Sequence, residues 1–324
     1  MMRSILATAA VIGLTLAATA QTYPNRPITL VVPFAPGGTT DVVARIMADH
    51  MSRTLGQQVI VENVAGAGGT SGATRVKRAT PDGYTILMGN LGTQSASVGI
   101  YGDKLQYDPR TDFEPIINTG GTPMYVLPKK DFPAKNFSEF AAYVKANAGR
   151  LNYGSGGVGA TSHLTCLFMN SLLGVTVTHV PFRGSGPAMQ ALIGGQIDFV
   201  CDQSVAAVPM IQGKELRGLV VASAKRQPQT PDVPTSGEQG LPRFIVSGWN
   251  AMFAPKGTPG DVMARLQQAA KAALNDETIK KRYLELGVEA PDAAGQTPEA
   301  LMTLVRSEVD KWTPVVKAAG VTGN

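Results

Sequence analysis

Two short stretches constrain the fold of this chain more than anything else in it. Pro33-Phe34-Ala35-Pro36-Gly37-Gly38-Thr39-Thr40-Asp41 and Tyr153-Gly154-Ser155-Gly156-Gly157-Val158-Gly159-Ala160-Thr161-Ser162 each lead from an apolar, strand-like segment directly into a helix-like one. Glycines let backbone approach a ligand closely, and the free N–H groups at the start of the following helix favour negative charge. A chain with two such turns is built to hold an anion between them.

The surrounding pattern is α/β. Residues 28–32 read as a strand, 41–55 as a helix with Val43, Ile46, Met47 and Met51 on one face, 59–61 and 84–88 as further strands, with a helix ending at Ala79 between them. Strand and helix alternate, which calls for a parallel sheet. A second series follows: helix 139–147, strand 151–153, helix 162–173, strand 176–180, helix 187–193, strand 197–201 and strand 216–222. The tail, with an extended run at 244–253 and helices at 260–275, 277–286 and 298–318, adds no new alternation. Tyr125-Val126-Leu127 and Phe244-Ile245-Val246 flank the second series and read as two crossings between lobes. The expectation is two lobes, each a largely parallel sheet flanked by helices, with a ligand cleft between them. Lobe 1 is discontinuous, 21–124 plus 246–324, and lobe 2 is 125–245.

Residues 1–20 read as a signal peptide: Arg3, an apolar run from Ile5 to Ala18, and an Ala18-Thr19-Ala20 cleavage site. The run is shorter than the roughly 20 residues of a membrane helix. Without Arg3 the chain keeps 28 of its 29 basic residues against 24 acidic ones, an excess too diffuse for nucleic acid. Cys166 and Cys201, the two cysteines, are compatible either with a disulfide in an exported protein or with two buried thiols. They lack the C-x-x-C spacing of redox and zinc sites.

Catalytic readings fit poorly. Gly154-Ser155-Gly156-Gly157-Val158-Gly159 spells G-x-G-x-x-G, but no Asp or Glu lies between Glu139 and Asp198 to bind a ribose. No phosphate-loop motif is present, Gly69-Thr70-Ser71-Gly72-Ala73 misses the hydrolase elbow at its last position, and His50, His163 and His179 lack metal-ligand spacing. An exported hydrolase using Ser155 or Ser162 with His163 is the remaining rival. Neither a cofactor nor a metal is expected. Binding fits better. Phe34 offers an apolar surface, and Ala35, Pro36, Gly37, Gly38 and Thr39 form a backbone cradle with Asp41 as helix cap. Ser155, Thr161 and Ser162 supply hydroxyls beside the N–H groups of Gly156, Gly159 and Ala160. Asn90, Asp202 and Gln203 fall at carboxyl ends of strands, where α/β folds place ligands. Arg183, at a comparable strand end, either pairs with a second carboxylate or is solvated.

Several segments together resemble one family: Tyr23-Pro24-Asn25-Arg26-Pro27-Ile28, the first glycine turn with Val32 before it, Val61-Glu62-Asn63 before Gly66-Ala67-Gly68-Gly69, Pro81-Asp82-Gly83-Tyr84-Thr85, Leu151-Asn152-Tyr153-Gly154-Ser155 and Gly194-Gly195-Gln196-Ile197-Asp198. The chain is similar, over nearly all of its mature length, to the Bug-type solute-binding proteins of tripartite tricarboxylate transporters. The resemblance implies a monomeric, non-enzymatic periplasmic receptor that closes on a small organic acid and delivers it to a membrane transporter of one large and one small subunit. One ligand carboxylate is expected between the turns, at Phe34 to Thr39 and Ser155 to Ser162. Asn90, Arg183, Asp202 and Gln203 are expected nearer its far end. The family takes aliphatic dicarboxylates, citrate-like acids, amino acids, nicotinate-type compounds and aromatic acids, and an aliphatic dicarboxylate is the leading expectation.

Overall fold

A computed structural model describes residues 23–323. The expected signal peptide, 1–20, lies outside the described residues. The order of elements begins β1 (Ile28–Val32), α1 (Thr39–Leu55), β2 (Val59–Asn63), α2 (Thr70–Lys77), β3 (Thr85–Asn90), α3 (Ser97–Tyr101) and β4 (Phe113–Pro128). It continues α4 (Phe137–Asn147), β5 (Asn152–Ser155), α5 (Thr161–Leu173), β6 (Thr178–Pro181), α6 (Ser185–Ile193), β7 (Phe199–Gln203), α7 (Ser204–Gln212) and β8 (Val220–Val221). The chain returns through β9 (Ser247–Pro255) and ends with α8 (Gly260–Asn275), α9 (Glu277–Glu285) and α10 (Pro298–Ala318).

The strands lie in the order β2-β1-β3-β9-β4-β7-β5-β6, with β8 on β4. In one lobe β2, β1 and β3 are parallel and β9 is antiparallel to β3; in the other β7, β5 and β6 are parallel and β4 is antiparallel to β7. β1 shows why the central strands are largely apolar on both faces. Leu30 and Val32 pack with Met47, Met51 and Leu266 from α1 and α8, while Val31 joins Leu301 and Val305 of α10 on the opposite face. Both faces are covered by helices, so the strand reads as an apolar run interrupted only by Thr29.

The sequence reading differs from the structure most at β4. Only Tyr125 to Leu127 was expected to be extended, whereas a 16-residue strand runs from Phe113. Its first part, Phe113 to Pro123, pairs with β9, and Met124 to Pro128 pairs with β7. Pro115, Gly120, Gly121 and Pro123 mask it in sequence. The strand accommodates them through register shifts between Pro115 and Ile117 and between Asn118 and Gly120, as bulges do. The 216–222 strand shrinks to two residues, and Gly92–Ala96 forms a buried π-helical turn that the sequence did not signal.

The two cysteines are joined in a disulfide that ties α5 to β7 across 35 residues of chain. The helix pinned this way begins at the second glycine turn. Replacing both cysteines (Cys166→Ala with Cys201→Ala) should lower the unfolding free energy by about 3–4 kcal/mol, through loop entropy restored to the unfolded chain. Denaturant or thermal unfolding of the double variant measures this. An unchanged midpoint would show that packing alone holds α5 on the sheet.

Candidate ligand-binding cleft

The two lobes meet backbone to backbone. The Ala35 N–H donates to the Arg183 carbonyl at 2.8 Å. A methyl group added at Gly186 would come within 2.7 Å of the Pro36 carbonyl oxygen, and one at Gly68 would overlap the carbonyl oxygen of Val158. Larger residues at these positions would hold the turns apart. Between the turns lies a cavity of about 20 Å³, the room of one or two waters and far below the few hundred Å³ of a small-molecule pocket. An organic acid therefore reaches this space only when the turns part.

Four helices begin at this cavity. α1 starts after Gly38, α5 after Ala160, α6 after Gly184 and α7 after Gln203, and none of these capping positions supplies a side-chain acceptor to the first-turn N–H groups. Gly38, Thr39, Ala160, Thr161, Ser185 and Gln203 line the cavity from these four starts. The Oγ1 atoms of Thr39 and Thr161 are buried without a hydrogen-bond partner. No Lys, Arg or His is among the lining residues. Converging helix dipoles and hydroxyl donors thus make the space anion-favouring without a cation.

Of the residues anticipated from sequence, Phe34, Gly38, Thr39, Asn90, Gly156, Ala160, Thr161, Ser162 and Gln203 line the cavity; Ala35, Pro36, Gly37, Ser155, Gly159, Arg183 and Asp202 do not. Several of the anticipated donors are turned inward. The Gly156 N–H donates to Ser162 Oγ (2.9 Å), Gly159 N–H to His163 Nδ1 (3.1 Å), and Ala160 N–H to the Gly157 carbonyl (3.1 Å). They stiffen the second turn, leaving donation to the start of α5. The Arg183 side chain is exposed, and its contribution at the cleft is its carbonyl. Asp41 is not the cap of α1. Gly38 is, and the Asp41 carboxylate instead accepts from Gly37 N–H, Arg45 and Asn63. Burial alone would raise its pKa, but those hydrogen bonds hold it below the ordinary value. The sequence reading passed over Ser185, although Gly184-Ser185-Gly186 repeats the signature of a glycine turn entering a helix. It also missed the interior bonds of Thr122 to Gln203 (2.6 Å) and of Thr40 to Asn250 (2.9 Å).

The hydrolase rival anticipated Ser155 or Ser162 beside His163. Ser155 Oγ instead lies 2.6 Å from His179 Nε2, and His179 stacks on His163 with ring centres 4.0 Å apart. Among the described residues no carboxylate is hydrogen-bonded to either ring, so the third member of a triad is missing. Burial lowers both histidines, His163 to about 4 and His179 to about 3, the latter also through its neighbour. Burial pushes Asp202, which accepts from Ser185 Oγ and Gln203 N–H, up to about 6.

These shifts give opposite signs with pH. The histidines are depressed below their unfolded value of 6.5, so their contribution is present above it and is lost as pH falls toward 4 and 3. Asp202 is raised, so its contribution is present in acid, below about 4, and is lost as pH rises through about 6. Asp202→Asn should therefore gain stability relative to the parent as pH is raised across that window, and His179→Gln should flatten the acid limb. A pH series of thermal midpoints tests both, and parallel curves for parent and variants would contradict the assignment.

The sequence profile of the family described as "Tripartite tricarboxylate transporter family receptor" matches residues 43–321. The chain belongs to this family. MatC of Rhodopseudomonas palustris, solved with bound malate, is 45% identical, covering 91% of this chain and 100% of its own, with a TM-score of 0.88. The periplasmic binding protein BugD is 42% identical, covering 93% and 100%, with a TM-score of 0.89. Rpa4515 of R. palustris, solved with adipate, is 32% identical, covering 93% and 99%, with a TM-score of 0.87. The Bug-type, two-lobed architecture expected from sequence is thus the architecture of this tripartite tricarboxylate transporter receptor, and its family is one of periplasmic solute-binding proteins.

Proposed function

We propose that the protein captures an aliphatic dicarboxylate of four to six carbons between its lobes and delivers it, without chemical change, to a tripartite membrane transporter. The observation that carries this reading is the convergence of four uncapped helix starts on one cation-free cavity, with Thr39 and Thr161 hydroxyls unpaired inside it. Two related proteins of this architecture were solved with malate and with adipate, which supports that size range. In this reading the chain is exported behind a cleaved segment, 1–20, and acts as a monomer on a transporter of one large and one small subunit. The lobes are 21–124 plus 246–324 and 125–245. That division is supported by β4, which changes partner from β9 to β7 between Pro123 and Met124.

One carboxylate is held by the N–H groups opening α1 and α5 together with the two threonine hydroxyls, and the other end lies toward Asn90, Ser185 and Gln203. Isothermal titration and thermal shift against C4 to C8 dicarboxylates, citrate, aromatic acids and amino acids test the reading. A ligand at a hundred times its dissociation constant adds about 2.7 kcal/mol to stability. Tight binding of citrate or an aromatic acid alone would replace the dicarboxylate, and no binding of any organic anion would remove the receptor reading.

The way the lobes meet gives a sharper test. Gly186 sits inside α6, where alanine suits the helix, yet its added methyl would press on the Pro36 carbonyl across the cleft. Gly186→Ala should weaken ligand binding at least about tenfold, a loss of about 1.4 kcal/mol, with no loss of fold stability. Arg183→Ala should leave affinity nearly unchanged, since only its carbonyl meets the first turn. The reverse ranking by calorimetry would favour an ion-pair mechanism.

A further inference from the structure

A second cavity, of about 220 Å³, opens away from the cleft where three parts of the chain meet. Its apolar wall comes from Phe168 of α5, from Val246 and the 44%-exposed Ile245 on the segment leading into β9, and from Trp312 and Val315 of α10. Arg243 and Lys311 also line it. The Arg243 side chain is exposed and has no hydrogen-bond or ion-pair partner among the described residues. Lys311 lies 5.5 Å from the Trp312 ring centre and 3.3 Å from Glu308, whose other oxygen accepts from the indole N–H. The site therefore presents a fixed indole face and apolar walls beneath a rim of net positive charge.

We propose that this cavity is a second ligand site, separate from the cleft, for a small aromatic monocarboxylate. A cavity of about 150 Å³ suffices for benzene, so 220 Å³ takes a ring with a carboxylate attached. The ring packs between Phe168, Val246 and Trp312, and the carboxylate faces Arg243, with Lys311 as a second cation. A dication would meet Arg243 and Lys311 at the rim, and a neutral sugar would leave Arg243 unpaired. The position gives the site a consequence. α5 is fixed to β7 by the Cys166–Cys201 disulfide, α10 packs with α3 and the Gly92–Ala96 turn of the other lobe, and residues 243–246 form the return crossing between them. An occupant that touches all three favours one arrangement of the lobes and so couples to the cleft, with the same factor acting in both directions.

The test uses benzoate as the probe and the whole folded protein. In a Trp249→Phe background, which leaves Trp312 as the single indole, benzoate in the millimolar range should quench Trp312 emission saturably. Arg243→Glu, on the surface, should raise the dissociation constant at least about tenfold, and Val315→Phe, which fills the cavity, should abolish the response. Isothermal titration of the same variants without the Trp249 change checks the affinities, and Arg243→Glu decides alone if Val315→Phe lowers the melting temperature. No saturable quench, or equal affinity in parent and Arg243→Glu, overturns the second site. Benzoate binding that is blocked by Gly186→Ala and indifferent to Arg243→Glu would place it in the cleft, overturning this inference while leaving the receptor reading intact.

Discussion

Everything at the cleft depends on backbone meeting backbone between the two lobes. The bond from Ala35 to Arg183 and the approach of Gly68 to Val158 and of Gly186 to Pro36 bring main chain against main chain, with no side chain between. This contact sets the spacing of the helix starts. α6 begins within a residue or two of the touching atoms, α1 three residues after Pro36, and α5 at the end of the turn that faces Gly68. Helix-end electrostatics act only within about one turn of the helix, so glycine closeness is what lets four separate N-termini act on the same small volume.

The same contact needs a mechanical support that can let it go. β4 provides continuity: a single strand pairs first with β9 and then with β7, and its bulges at 115–120 let it bend without losing the ladder. The return path runs through 243–246 into β9, where Val246 N–H donates to the Ala222 carbonyl. Within each lobe the inner strands β1, β3 and β7 are buried on both sides, while the edge strands β2 and β6 are partly exposed. Between the two groups of strands the chain runs out along β4 and back along the segment 243–246, which belongs to no strand.

What could be read in the sequence follows from how local each signal is. α1 and α5 were legible because an apolar period and a terminating glycine fall inside one short window, β1 because its apolar run stops at Pro33, and the glycine turns because the next helix begins immediately after them. β4 was not, because its breakers are accommodated by pairing with β9, whose residues lie more than a hundred positions away. The direction of individual N–H groups was also hidden. Gly156 and Gly159 are in the right turn, but Ser162 and His163, one helical turn ahead, take their hydrogens. Sequence spacing places a glycine beside a ligand space; which way its N–H points is decided by the rotamers of the helix that follows.

Under the proposed reading, a cleft that takes a dianion without a cation looks incomplete until opening and closing are considered. In a receptor that opens and closes repeatedly, an unpaired lysine or arginine at this position would have to leave water for a buried site at every closure, at a cost of several kcal/mol. Peptide dipoles at helix starts are fixed by the fold and keep their orientation when the lobes part. The one carboxylate lining the cavity, Asp41, is bound to Arg45 at 2.9 Å and to Asn63 at 2.8 Å on its own lobe, so its charge stays paired whether the turns touch or not. Charge at the cleft is therefore settled within each lobe before closure, and what closure adds is proximity of neutral donors. That division allows tight contact in the closed form without making the open form a state of exposed, unpaired ions.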